Sequence, residues 1–226
     1  MVTAEQLDAF ATAFAALGKL HRDAPDPPTL AAFRELQEEW PLPETASARG
    51  GLAAPDNPAA DGGLAALRRS AELGEDAEQI ADDHNRLYGD SARALVPPYE
   101  SVHRGIDKLV FDDATIEVRA AYRELGLRAP RLNREPDDHL GLEFDFVAQA
   151  LLRACDATAD GDTAGAARLL DLVRDFIADH LARWAPGMLA AVVGAARTQF
   201  MVGVARLSLA TLDQASAALG VPADER

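Results

Sequence analysis

Apolar residues in this 226-residue chain recur three and four positions apart almost from end to end, and nowhere do they alternate with a period of two. That spacing gathers them on one face of a helix, so it predicts an all-α fold. Leu7, Phe10, Phe14 and Leu17 form the first stripe, behind Thr3 and Gln6 in a capping-box pattern. This helix should end before the proline-rich run Asp23–Pro28. Thr29 is the expected cap of a second helix with Leu30, Phe33, Leu36 and Trp40, stopped by Pro41 and Pro43. Leu64 to Leu73, with Gly74 as its stop, and about Asp76 to Gly89 predict two more. Tyr99–His103 suits a single helical turn. Asp112 or Asp113 should open a helix carrying Ile116, Val118, Tyr122 and Leu125, ended by Gly126. Leu140, Phe144, Val147 and Leu151 mark a longer one, and Leu169, Val173, Phe176 and Leu181 mark another from Thr163 to about Trp184. Pro186-Gly187 should break the chain before a last apolar stretch, Met188 to Leu212.

No internal repeat is visible, and the length suits one good-sized core, so residues 1–226 read as a single domain. Between Pro41 and Gly63 the composition turns to Ala, Gly, Pro, Asp and Ser, which predicts a long flexible loop. The formal net charge of −15 excludes a nucleic-acid binder, which needs a basic footprint. The charge draws in cationic partners; it equally suits a solubility adaptation to a salt-rich cytoplasm. Lys19 and Lys108 are the only lysines. Cys155 is alone, which rules out a disulfide framework. The apolar C-terminal stretch is interrupted by Arg197, Gln199 and Arg206, so no membrane span is expected. With no secretory pattern at Met1–Gln6, the expected location is the cytoplasm.

The densest chemistry lies in Glu135-Pro136-Asp137-Asp138-His139-Leu140-Gly141-Leu142-Glu143. Proline is favoured in the first turn of a helix. Carboxylates there face the positive end of the dipole, each worth about 0.3–1 kcal/mol. The run therefore reads as a helix start, with His139 and Glu143 on one face four residues apart. Two chemistries fit it. One is a metal site, with His139, Glu143 and Asp137 or Asp138 joined by His180 or His84 from another helix. The other is a binding surface. Phosphate-loop and serine-elbow motifs are both missing. His180 reads as lying near a helix C-terminus, where the dipole favours its charged form. Trp40 and Trp184 read as core or groove-lining residues.

Four stretches together resemble the TorD/DmsD/NarJ family of chaperones for molybdenum enzymes. They are Pro98-Tyr99-Glu100-Ser101-Val102, Tyr122 with Gly126, the Glu135–Glu143 run, and Phe176-x-x-x-His180-Leu181-x-x-Trp184-x-Pro186. The order and spacing match from about Leu87 to Leu212, and the form of the central run sits nearer the TorD/DmsD branch. The resemblance implies a single all-helical bundle of about eight to ten helices. It implies a cytoplasmic protein without catalysis of its own, which binds the twin-arginine signal peptide and apo-form of a dimethyl sulfoxide reductase-type molybdopterin oxidoreductase. Export is thereby held back until the cofactor is inserted. It brings no resident cofactor beyond weak guanine nucleotide binding, and either a monomer or a domain-swapped dimer. The NarJ branch, serving nitrate reductases, is one alternative; a metal-dependent helical enzyme using His139, Glu143 and Asp138 is the other. Carried over, the peptide-binding positions are Leu87, Tyr88, Tyr99, Glu100, Pro136, Asp137, Asp138, His139, Glu143, His180 and Trp184. The expected mechanism has Asp137, Asp138, Glu143 and Glu100 accept the guanidinium groups. Leu87, Tyr88 and Leu140 receive the apolar segment in a groove.

Overall fold

A computed structural model describes residues 2–43, 62–89, 94–105, 110, 112–130 and 136–222. Among these the chain is all-α: ten α-helices, one 3-10 turn and one π turn, with a lone Tyr99–His139 bridge as the only β pairing. Residues 44–61 of the expected long loop lie outside the described residues, as does Glu135. The helices are α1 (Ala4–Arg22), α2 (Pro27–Leu36), α3 (Gly63–Glu72), α4 (Ala77–Tyr88), α5 (Glu100–Arg104), α6 (Asp113–Glu124), α7 (Leu140–Ala159), α8 (Thr163–Phe176), α9 (Ala182–Ala195) and α10 (Gln199–Leu219). Two compact units divide the chain, one of Met1–Arg22, Tyr99–Ala185 and Gln214–Arg226, the other of Asp23–Pro98 and Pro186–Asp213.

In the first unit α1 packs on α7, where Gly18 and Gly141 bring the two backbones together. A Cβ on Gly141 would lie 2.4 Å from the Gly18 carbonyl oxygen. Phe14 meets Phe144 edge-on at 5.1 Å between ring centres, inside this interface. A chain of rings, Tyr122, Phe146, Phe176 and His180, continues the core through α6, α7 and α8 at centroid spacings of 5.1, 4.5 and 4.7 Å. In the second unit Gly63 of α3 and Gly203 of α10 make the same kind of close approach, a Cβ on either falling 2.9 Å from the other's carbonyl. Phe33 of α2 meets Phe200 at 5.8 Å.

Local signals hold where they are read from adjacent residues. Thr3 and Gln6 form their reciprocal cap, at 3.0 and 3.2 Å. Asp76 and Gln79 form a full capping box on α4. Gly74 and Gly126 end α3 and α6 with φ of +70° and +65°, a conformation only glycine adopts cheaply.

Three readings change. The second helix is capped by Asp26, whose Oδ1 accepts from Thr29 N at 2.9 Å, with Pro27 and Pro28 in the first turn; Thr29 lies inside. Ile116 is 64% exposed and belongs to no core face. Pro186 does not break its helix, since the chain is helical without interruption from Thr163 to Ala195. Its missing N–H deprives only the Ala182 carbonyl of a donor. A π turn, Ile177–Leu181, precedes it, with Ala182 N–H bonding back five residues to Ile177. The break falls instead at residues 196–198, where Asp83 Oδ2 accepts from Arg197 N and Thr198 N at 2.7 and 2.8 Å. Glu75 takes the next two amides, Gln199 N and Phe200 N, at 2.8 and 3.0 Å. Two acids from another part of the sequence thus cap α10.

Candidate functional site

The Pro136–Glu143 stretch does not start its helix where the composition suggests. Pro136 to Asp138 lie ahead of the helix, with a bend at Asp137, and His139 is the extended N-cap, its Nδ1 accepting from Gly141 N at 3.0 Å. The two aspartates therefore precede α7 and are not first-turn residues; Glu143 alone is. His139 forms a single β bridge with Tyr99, the residue before α5, and Glu100 N at the start of α5 donates to the Asp138 carbonyl at 3.0 Å. Tyr99 and His139 meet edge-on at 5.3 Å. Two motifs 37 residues apart in sequence are thus laid side by side, a juxtaposition that spacing cannot reveal.

Each carboxylate of the site turns inward and is fully buried. Asp138 accepts from Ser101 N and from Thr115 Oγ1, both at 2.7 Å, and so ties α7 to the starts of α5 and α6. Asp137 pairs with Arg119, and its backbone carbonyl takes the Tyr122 hydroxyl at 3.0 Å. Burial first, then the charges of Glu143, Asp138 and Asp137, push the Tyr122 phenol far up, so it serves as a neutral donor. Glu100 is held by Arg104 and by His180 Nδ1 at 2.9 Å. Glu143 accepts from Trp184 Nε1 at 3.3 Å, while its Oε1 has no partner. Desolvation, with Glu100 and Asp138 as neighbouring negative charges, holds the Glu143 carboxyl well above the usual range. These buried bonds explain the inward turn: a charge removed from water needs a partner, and every carboxylate here has at least one.

Of the eleven residues expected to bind peptide, nine are buried, and only Tyr99 and His139 reach the surface in part. Leu87 and Tyr88 lie inside the second unit and the other nine belong to the first. An open face of carboxylates awaiting guanidinium groups is therefore not what the fold builds, and Leu140 is likewise fully buried. His180 lies in the π turn of a continuing helix rather than at a C-terminus, so the dipole argument for its charge falls. His180 meets a carboxylate, pairing with Glu100 through Nδ1. The metal reading loses its ligands for the same reason: both Asp138 oxygens and His139 Nδ1 are occupied by internal donors. Among the described residues no three His, Cys, Asp or Glu side chains gather as a metal site.

One feature of the site escapes the motif reading. A cleft of about 440 Å³ between α6 and α8 is lined by Glu124, Arg168, Asp171, Asp175 and Asp179, with Phe176 and His180 in its wall. Its signal in the sequence is an acid every fourth residue, Asp171, Asp175 and Asp179, which puts all three on one helical face.

Fold and site together define an all-helical protein whose distinctive motif organises helix starts around buried acids. The chain belongs to the nitrate reductase delta subunit family, which matches residues 54–190 and groups TorD- and NarJ-type chaperones. Curated relatives named "Chaperone protein TorD" include one from Vibrio parahaemolyticus, 26% identical over 129 residues, covering 57% of this chain and 59% of the relative. A Vibrio cholerae relative is 28% identical over 148 residues, covering 65% and 63% of the two chains. A third, from Photobacterium profundum, is 26% identical over 113 residues, covering 50% and 51%. The chain thus spans between 51% and 63% of the length of these three relatives. Among the described residues no helix is long and apolar enough to cross a membrane.

Proposed function

We propose that this protein is a cytoplasmic chaperone for a molybdopterin oxidoreductase of the dimethyl sulfoxide reductase type. It binds the client's twin-arginine signal peptide and apo-form, and holds back export until the cofactor is in place. It performs no chemistry of its own. The observation that carries the reading is the joining of the two family motifs through Asp138, which places Tyr99 and His139 together at the surface. In this reading Tyr99 and His139 touch the peptide. Glu100, Pro136, Asp137, Asp138, Glu143, His180 and Trp184 shape the ground beneath them, and Leu87 and Tyr88 do the same in their own unit. A disordered signal peptide loses conformational freedom on binding, so affinity is moderate and release is easy. The family description names a nitrate reductase subunit, and this favours a second reading in which the client is a nitrate reductase.

Isothermal titration with the two kinds of client peptide separates these readings. The twin-arginine peptide should bind the wild-type chain, and Tyr99→Ala with His139→Ala should weaken it roughly tenfold, the scale of a surface hot spot. Unchanged affinity in the double variant would remove these residues from the site. Binding of a nitrate reductase peptide alone would transfer the chain to the second reading.

A further inference from the structure

We infer that the buried acids joining the Tyr99 and His139 segments form a proton-binding site, and that its proton sets how firmly the client peptide docks; the identity of that peptide rests on the function proposed above. Glu100, Asp138 and Glu143 are all fully buried and lie close enough to feel one another's charge. Among the groups bonded to these three, the cations are Arg104 and, at most, His180. Asp137 is matched by a cation of its own, Arg119. At least one negative charge is therefore left over, whichever form His180 takes. A surplus charge out of water is costly, and taking up a proton relieves it.

The donors decide where that proton rests. Asp138 accepts from Ser101 N at one oxygen and from Thr115 Oγ1 at the other, and both bonds favour its charged form. Glu100 has Arg104 and His180. Glu143 has the Trp184 indole alone, and its Oε1 meets no donor. Other polar groups surround it. From α1 come His21, edge-on to Phe144, and Arg22, which acts on Asp145. From α5 comes His103, stacked on Trp184 at 5.4 Å, and from α6 the neutral Tyr122 phenol. Asp179 and Arg183, at the π turn, pair with each other. None of these donates to Glu143. The same acids also hold the two motifs together, since Glu100 N and Ser101 N both bond to Asp138 beside the Tyr99–His139 bridge. When Glu143 loses its proton, a further bare charge faces Glu100 and Asp138 across that join and loosens it. The joined form binds the proton more tightly than the loosened one, so docking takes up a proton. Affinity is complete at lower pH and falls as pH rises through the folded-state value of Glu143.

Two measurements on the full chain test this. The difference between the infrared spectra of wild type and Glu143→Gln at pH 6 should hold the carbonyl stretch of a protonated carboxylic acid, which fades towards pH 9. Over the same range, isothermal titration with the twin-arginine peptide should find wild-type affinity falling roughly tenfold more than that of the variant, the effect of one pKa unit of linkage. Both proteins keep every histidine, so the comparison isolates Glu143. Should the variant fail to fold, wild-type binding heats in buffers of different ionisation enthalpy report the proton uptake directly. A missing band, parallel falls in affinity, or binding heats without proton uptake overturn the linkage while leaving the chaperone reading intact. If wild type binds no peptide at any pH, that reading fails and the infrared band alone decides the proton site.

Discussion

At the residue scale, Glu143 holds the sharpest conflict in the molecule. Its carboxyl is fully buried beside Glu100 and Asp138, one oxygen rests on the Trp184 indole, and the other has no donor. Burial and those neighbouring charges raise its folded-state pKa above the unfolded one, so the native state holds the proton more tightly. Its contribution to stability is therefore complete below the unfolded value, about pH 4.3, and is lost as pH rises through the folded value. Glu143→Gln imitates the protonated acid at every pH and keeps an acceptor for Trp184. Melting temperatures from pH 5 to pH 8 should show the variant gaining on wild type as pH rises; parallel curves would mean that Glu143 is ionised throughout. Asp83 is the opposite case. Burial pushes its carboxyl up, but bonds from Thr198, Arg86 and Arg197 outweigh this and leave it below its ordinary value. Both are buried acids, and what differs is the number of donors each finds.

At the element scale, the glycine of the central motif acts in packing. Gly141 lets α7 lie against α1, and a methyl group there would meet the Gly18 carbonyl at 2.4 Å and the Arg22 side chain at 2.5 Å. Gly141→Ala should destabilise the protein by about 1–3 kcal/mol, the usual cost of overfilling a tight contact. Gly187, in the middle of α9, has nothing within 4 Å of an added Cβ. Gly187→Ala should stabilise by about 0.5–1 kcal/mol through backbone entropy alone. Urea midpoints of the two variants moving in opposite directions would confirm the assignment; a harmless Gly141→Ala would refute the close approach. The failure of Pro186 to stop its helix belongs to this scale too. One lost hydrogen bond ends a helix that stands alone, but Trp184, Ala185, Met188 and Leu189 are all buried, and their packing holds the helical path.

At the scale of the whole molecule, the chain forms two compact units, each built from separated stretches of sequence. We propose that they nevertheless unfold as the single domain that the sequence leads one to expect. Scanning calorimetry should then show one transition, with calorimetric and van't Hoff enthalpies equal. Two resolved transitions would establish independent domains.

Local sequence determined the helices of this protein and most of their ends. Periodicity and caps act between residues three or four apart, as in Thr3 with Gln6, Asp76 with Gln79, and glycines such as Gly74 and Gly126. It also marked Pro136–Glu143 as the densest chemistry in the chain. Only the tertiary structure decided which way that chemistry faces. Asp138 finds Ser101 and Thr115, Glu100 finds His180, and α10 is capped by Asp83 and Glu75 across more than a hundred residues. A carboxylate left in water and one folded inward look the same in sequence. What separates them is the set of donors that packing brings to each, because a buried charge survives only where enough of them converge.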